Sequence, residues 1–360
     1  MKNKILSILF IIIIFSLSII SVILPDTEIS KTERRYLINF PTLNIKTIFN
    51  GDFFEQFNTY AVEQFPFRET FIKIKGITAN KLFLKQEENG VFIKNGNFFE
   101  INSSIDSKSI DYFLQIVTKI KNNFSNGNIY YSIIPDKNYY LNENIPKLNY
   151  QKLVSTINKK LQGITYINIF NDLTLESYYK TDIHWKQEKI SEVVKTIALH
   201  MNNEPIDIKY SKLTYDNFYG ALYGKIPNNE KPDTITYLID ENTINTKVFD
   251  YEKNQYYKVY EEQNLKNIDS YDIFLGGAKA LLIMKNQNSK TNKELVIFRD
   301  SFSSSLAPLL LPYYKKITLV DLRYINSDYI INNNLIDFNN NQDILFIYGI
   351  PIINNSFTLK

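Results

Sequence analysis

Leu295-Val-Ile-Phe-Arg-Asp-Ser-Phe-Ser-Ser-Ser305 runs from four apolar residues into a serine-crowded turn, and Phe302 to Leu311 continues with helical character. A short, unbroken apolar run bounded by turn residues reads as a strand buried on both faces, as in a parallel sheet covered by helices. A serine on the turn from such a strand into a helix stands at the carboxyl end of the sheet. Ligand crevices of open α/β folds lie there, close to helix N-terminal amides. Ser301, first after the strand and preceded by Asp300, is the serine of this turn chosen as nucleophile. An ordinary N-cap serine gives the same local pattern, so other residues must decide.

Working outward, helices and strands alternate. The pattern predicts a helix over Ser107 to Phe124, a strand over Asn128 to Pro135, a helix over Leu148 to Leu161 and a strand over Thr165 to Phe170. A helix over Gln187 to His200 follows, and past Phe298 come strands over Lys316 to Asp321 and Asp343 to Tyr348. This is the rhythm of βαβ units, and it predicts a three-layer α/β sandwich around a mostly parallel sheet. The stretch 203–292 is Tyr-rich and turn-rich, lacks the rhythm, and reads as an insertion. Its aromatics suit either sugar stacking or ordinary packing. Toward the N-terminus, Phe49 to Phe71 carries aromatics at helical spacing up to Phe65-Pro66, a second helix spans Arg68 to Leu82, and Asn95-Gly96 between apolar runs marks a hairpin.

A serine hydroxyl needs a base, and the chain has 2 histidines. His200 ends a predicted helix and reads as a C-terminal helix charge. His184 stands in Tyr178-Tyr-Lys-Thr-Asp-Ile-His-Trp185, with Asp182 two residues before it. In an extended segment those two side chains point the same way, so Asp182 can orient the imidazole and offset its charge. The bland alternative is a surface Asp and His beside a buried Trp.

The net charge is +3 over 360 residues, with basic and acidic residues interspersed, so nothing calls for nucleic acid. With no cysteine there is no disulfide, thiolate metal site or cysteine nucleophile. No phosphate-binding glycine loop and no metal-ligand cluster is present, and no cofactor is expected.

Ile5 to Leu24 is an uncharged apolar run preceded by Lys2 and Lys4. As a helix it spans roughly the 30 Å of a bilayer core, and the flanking lysines favour an inside N-terminus with everything after Pro25 outside. A cleaved signal peptide also starts basic and apolar, but Val22, Ile23 and Leu24 are not the small residues that precede cleavage. The expected organisation is a cytoplasmic end and anchor at 1–24, a stem at 25–48, and a catalytic domain at 49–360.

Taken together, Thr32-Glu-Arg-Arg-Tyr-Leu37 with Phe40-Pro41, Gln64-Phe-Pro-Phe-Arg68, Ile134-Pro-Asp-Lys137, Thr181-Asp-Ile-His-Trp185, and Arg299-Asp-Ser-Phe-Ser303 with Val320-Asp-Leu-Arg-Tyr324 carry a resemblance. The chain is similar to the DHHW family, related to the AlgX and AlgJ type of alginate O-acetyltransferases, which have an SGNH-hydrolase-like domain. The resemblance implies a triad of Asp182, His184 and Ser301, an acyl-enzyme on the serine, a polysaccharide acceptor, and a membrane-bound O-acyltransferase as acetyl-donor partner. Two departures stand out: Ile183 occupies the first His of the family name, and Arg299 the place of a Gly common in SGNH hydrolases. For the oxyanion hole the Ser301 N–H is one expected donor, and Asn354 or Asn355 is a candidate side chain. The favoured expectation is an extracytoplasmic O-acetyltransferase. An acetyl-esterase would use the same triad with water as acceptor, and a non-catalytic glycan-binding scaffold would not need it.

Overall fold

The computed structural model describes residues 2–30, 32–79, 87–141 and 147–360. The chain divides into two compact units, residues 1–89 with 223–231, and residues 90–222 with 232–360.

In the first unit α1 (Lys2–Ile23) is, over Lys4–Ile23, long and apolar enough to cross a membrane. A short ribbon of β1 (Ile29–Ser30) and β2 (Arg35–Tyr36) precedes α2 (Ile45–Phe49), α3 (Asp52–Glu63) and α4 (Arg68–Ile77). β3 (Glu87–Glu88) follows. Pro66 separates α3 from α4, as expected, and the far end of the helix expected to reach Leu82 lies outside the described residues. Two of the motifs that carried the resemblance meet here. Arg68 donates to Glu33 through both Nη1 (2.7 Å) and Nη2 (3.0 Å), and Gln64 Nε2 donates to the carbonyls of Thr27 and Ile38 (both 3.1 Å).

The second unit opens with the hairpin β4 (Val91–Lys94) and β5 (Asn97–Glu100). Asn95 and Gly96 both have positive φ, 49° and 73°, which is the turn that an Asn-Gly pair makes most readily. Then come α5 (Ser107–Lys121), β6 (Asn128–Ile134), α6 (Tyr150–Lys160), β7 (Thr165–Ile167) and α7 (Ser191–His200). The stretch 203–292 contains β8 (Ser211–Phe218), α8 (Ala221–Lys225), β9 (Asp233–Ile239), α9 (Glu241–Asn245), β10 (Lys247–Asp250), β11 (Gln255–Lys258) and β12 (Leu281–Lys285). The remainder is β13 (Glu294–Arg299), α10 (Ser303–Leu310), β14 (Lys316–Val320), α11 (Ser327–Asn332), β15 (Asp343–Gly349) and α12 (Ile350–Ile353).

Eight strands form the main sheet in the order β11-β10-β12-β14-β13-β15-β6-β7. The run from β14 to β7 is parallel, and β12, β10 and β11 extend it antiparallel. Side chains alternate across it, as strand geometry requires. Leu295, Ile297, Leu345 and Ile347 pack with Val193, Ile197, Leu306 and Leu310 of α7 and α10 on one face. Val296, Phe298, Ile344 and Phe346 pack with Phe113, Val117, Leu153 and Ile353 of α5, α6 and α12 on the other. Three layers result, with β13 inside the sheet and its carboxyl end leading to Ser301.

Candidate active site

Asp300 shapes the turn that presents Ser301. Its carboxylate accepts from the N–H of Phe302 (3.1 Å) and the N–H of Gly349 (2.6 Å), so one side chain ties the ends of β13 and β15 together. Burial pushes this carboxyl up, while Arg323 and the two amides hold it back. Arg299, in the place of the expected Gly, leaves the strand-to-helix turn intact. Its guanidinium is buried and donates through Nη1 to Ser304 Oγ (2.8 Å), with Nε and Nη2 unpartnered among the described residues.

Asp182 and His184 come from a tight loop closed by the antiparallel bridge Tyr178↔Trp185 and by Tyr179 N–H to His184 O (3.1 Å). The sequence reading placed both side chains on one side of an extended segment. The structure reaches the same juxtaposition through an Asx-type turn, in which Asp182 Oδ1 accepts the N–H of His184 (3.0 Å). The loop is held from two directions. Asp233 of β9 accepts from the N–H groups of Lys180 (2.9 Å) and Thr181 (2.8 Å) and from Thr181 Oγ1 (2.6 Å). Opposite, buried Lys137 donates to the carbonyls of Tyr179 (3.0 Å), Lys180 (3.0 Å) and Asp182 (2.8 Å). Burial pulls the Lys137 ammonium down to about 7, against the raising influence of Asp182 and Asp233.

The three groups meet in line. His184 Nδ1 lies 2.5 Å from Asp182 Oδ1, and Nε2 lies 2.8 Å from Ser301 Oγ. Asp182 Oδ2 accepts the N–H of Ala221 (2.7 Å). Asp182 is 1% exposed and His184 8%, whereas Ser301 is half-buried. An Nδ1–H directed at the carboxylate would leave Nε2 to accept from the Ser301 hydroxyl.

Trp185 of the quoted motif, with Tyr271 and Gln187, which the sequence reading did not single out, completes the surroundings. Tyr271 lies face to face with the imidazole, centroids 4.0 Å apart and planes 12° apart, and its hydroxyl lies 2.9 Å from Ser305 Oγ. Trp185 Nε1 donates to Phe302 O (3.1 Å) and Ser305 Oγ (2.9 Å), and Gln187 Nε2 to Ser305 O (2.8 Å). Thus the histidine loop is fastened to α10 by Trp185 and Gln187 as well as by the His184–Ser301 contact. Being the single Trp next to the His was a signal for Trp185; Tyr271, one of 26 tyrosines, had none.

The side chain of Asn354 does not join this group. Its Nδ2 donates to Ser104 O (2.9 Å) and Asn102 Oδ1 (3.3 Å), and its Oδ1 caps the N–H of Asp106 at the start of α5. Helix fastening accounts for all its hydrogen-bonding capacity on the donor side. His200 is exposed at the end of α7 with Nδ1 on Thr196 O (2.8 Å), as its sequence position suggested. Of the aromatics in 203–292, Tyr237, Tyr260, Tyr271 and Phe274 are buried in the core, which is packing; Tyr251 and Tyr256 are exposed. A small cavity of about 20 Å³ opens between Ile183 and Phe302, with Lys137, Asn102, Leu222 and Pro351 also in its wall. Among the described residues no His, Asp and Glu cluster suited to a metal occurs.

No family model and no curated protein matches the sequence. Among solved structures, the chain is similar to a DHHW family protein from Eubacterium siraeum DSM 15702, at 20% identity over 76% of this chain and 94% of that one, with a TM-score of 0.63. It is similar to Bacillus cereus PatB1 with a sulfonyl adduct, at 14% identity over 73% and 95% of the two chains and a TM-score of 0.59. The O-acetyltransferase domain of Pseudomonas putida AlgJ aligns at 9% identity over 74% and 92%, with a TM-score of 0.45. The chain therefore has the fold of a DHHW family protein, the three-layer α/β sandwich with a mostly parallel sheet to which its sequence motifs pointed.

Proposed function

We propose that this protein is an extracytoplasmic O-acetyltransferase that moves an acetyl group onto a polysaccharide through an acyl-enzyme on Ser301. The observation that carries the reading is the continuous hydrogen-bonded line from Asp182 through His184 to the hydroxyl of half-buried Ser301. A scaffold whose site had decayed would have no reason to keep these three groups within bonding distance while burying two of them.

In the first half-reaction His184 Nε2 takes the proton of Ser301 as Oγ attacks the acetyl carbonyl carbon, and Asp182 holds the resulting imidazolium. The tetrahedral oxyanion needs donors aimed at it. The N–H of Ser301, at the foot of α10, is the first of these, since Phe302 N–H is already engaged by Asp300. Collapse breaks the bond to the donor's oxygen, which leaves with the proton from His184. In the second half a sugar hydroxyl gives its proton to Nε2 and attacks the acetyl-serine, restoring Ser301. A membrane-bound O-acyltransferase is the partner that would bring acetyl groups to the outer face.

The test uses the full chain in detergent, with a chromogenic acetyl ester, beside Ser301→Ala and His184→Ala. Acetate release should fall by about 10⁴-fold or more in each variant, an acetyl group should be found on Ser301 by mass spectrometry, and a sulfonyl fluoride should block both. Adding candidate glycans then separates transfer to sugar from transfer to water. A wild-type chain that is neither acetylated nor sulfonylated at Ser301 would remove the proposal.

A further inference from the structure

α3 is a helix without a core. None of its residues is buried, although Phe53, Phe54, Phe57, Tyr60 and Ala61 fall on one side of a 3.6-residue repeat and Asp52, Glu55, Gln56, Thr59 and Glu63 on the other. The rings pack against one another. Phe53 lies 5.6 Å from Phe54 and 6.1 Å from Phe57, and Phe40 packs edge-on against Phe57 (5.9 Å) and Tyr60 (5.1 Å). Phe54 nevertheless remains 59% exposed, Phe57 42% and, on neighbouring α2, Phe49 88%. A contiguous aromatic face of this kind is costly to leave in water and marks an interaction surface.

Its position within the first unit identifies the occupant. Tyr60 OH donates to Asp26 Oδ1 (2.7 Å), Thr27 N–H donates to Gln64 Oε1 (2.9 Å), and Gln64 Nε2 donates back to Thr27 O (3.1 Å). α1 ends at Ile23, so the stretch to which α3 is fastened begins three positions further on, at Asp26. Three extended residues reach at most about 10 Å, which keeps α3 within reach of the interface, where amphipathic helices bury their apolar face by about 5–10 Å. Tyr and Phe rings are well placed at that level, apolar body inward and polar groups to water.

We propose that the aromatic face of α3, with Phe49 of α2 and Phe40, lies in the lipid interface at the outer end of α1. The occupant is the bilayer itself, and the proposal rests on α1 being retained as a membrane span. A single helix leaves a domain free to swing about it; a second, interfacial helix bonded to the exit of the first fixes the tilt of the first unit.

The chain has no cysteine, so single-cysteine variants can be labelled without background. Full-length Phe54→Cys, Phe57→Cys, Thr59→Cys and Tyr256→Cys would carry a nitroxide in phosphatidylethanolamine–phosphatidylglycerol vesicles, with fluorescence of buried Trp185 as the check on folding. The chains should float with the vesicles. Labels at 54 and 57 should collide several-fold more with oxygen than with a water-soluble nickel chelate, and labels at 59 and 256 should show the reverse. Chains that float while labels 54 and 57 behave like 59 and 256 overturn the proposal alone, including the case in which the face is kept for a protein partner. Chains that fail to float overturn the anchor and the proposal together, and leave the triad chemistry untouched.

Discussion

Asp182 Oδ1 receives both the main-chain N–H and the ring Nδ1 of His184, while Oδ2 receives Ala221 N–H. An Asn at this position keeps the size but has one acceptor oxygen instead of two, so one of these donors loses its partner. For Asp182→Asn we predict a fall in kcat of about 10⁴-fold with the histidine in the wrong tautomer, and a melting temperature within a few degrees of wild type, read from ester hydrolysis and a thermal scan. Asp136 gives a prediction about pH. Burial pushes its carboxyl up to about 6 from 3.8, despite the Tyr150 hydroxyl and the amides of Tyr139 and Asn138. A folded-state value above the unfolded one means that the favourable contribution is complete below about 3.8 and is lost as pH rises through about 6. Relative to Asp136→Asn, the wild type should therefore lose about 2 kcal/mol between pH 4 and pH 7, allowing for the partial exposure of the carboxyl to the small cavity. Denaturant titrations of both proteins at the two pH values check this; a difference that does not change between them refutes it. At this scale the sequence was most legible where chemistry is scarce. With two histidines, one in a D-x-H spacing, His184 could be singled out, and the structure places it between Asp182 and Ser301, whereas no Asn could be placed beside the serine, because asparagine is abundant and Asn354 proves to fasten α5.

Among the elements, the segment Tyr219-Gly220-Ala221 lies against Asp182 and gives a further test. A Cβ on Gly220 would sit 2.2 Å from Asp182 Cβ and 2.6 Å from its Cα, closer than any real contact. Gly220→Ala should push the loop off line and lower kcat by about 10²-fold or more, and lower stability by about 1–3 kcal/mol. Steady-state kinetics and a denaturant titration on the same sample measure the two effects. The parallel strands β6, β13, β14 and β15 were legible as apolar runs because both of their faces are covered. β10 and β11 were not: they are four residues long, lie at the edge of the sheet, and Gln255, Tyr256 and Lys258 are exposed, so no unbroken apolar run announces them. The stretch read as an insertion thus supplies three strands of the main sheet, as well as Asp233 and Tyr271 around the histidine loop. Its contribution depends on contacts distant in sequence, and periodicity contains no such information.

At the scale of the whole molecule, Lys2 and Lys4 in the first turn of α1, ahead of its uncharged run, predict one crossing with the bulk of the chain outside. Protease added to right-side-out vesicles should digest the epitope-tagged C-terminal part, and digestion only after lysis would reverse the orientation. The central sheet carries a further consequence for biosynthesis. β6, at 128–134, pairs with β15, at 343–349, and β15 in turn pairs with β13, so the sheet closes only across more than half the chain. A chain made from its N-terminus has the histidine loop long before the serine turn, and holds β6 with one edge open until β15 emerges. Such open parallel edges are slow to be satisfied and prone to wrong pairing. The Ser301 turn, tied through Asp300 to Gly349, can thus be completed only once synthesis is almost finished, and the interval before β15 arrives is the one in which a folding helper on the emerging side would matter most.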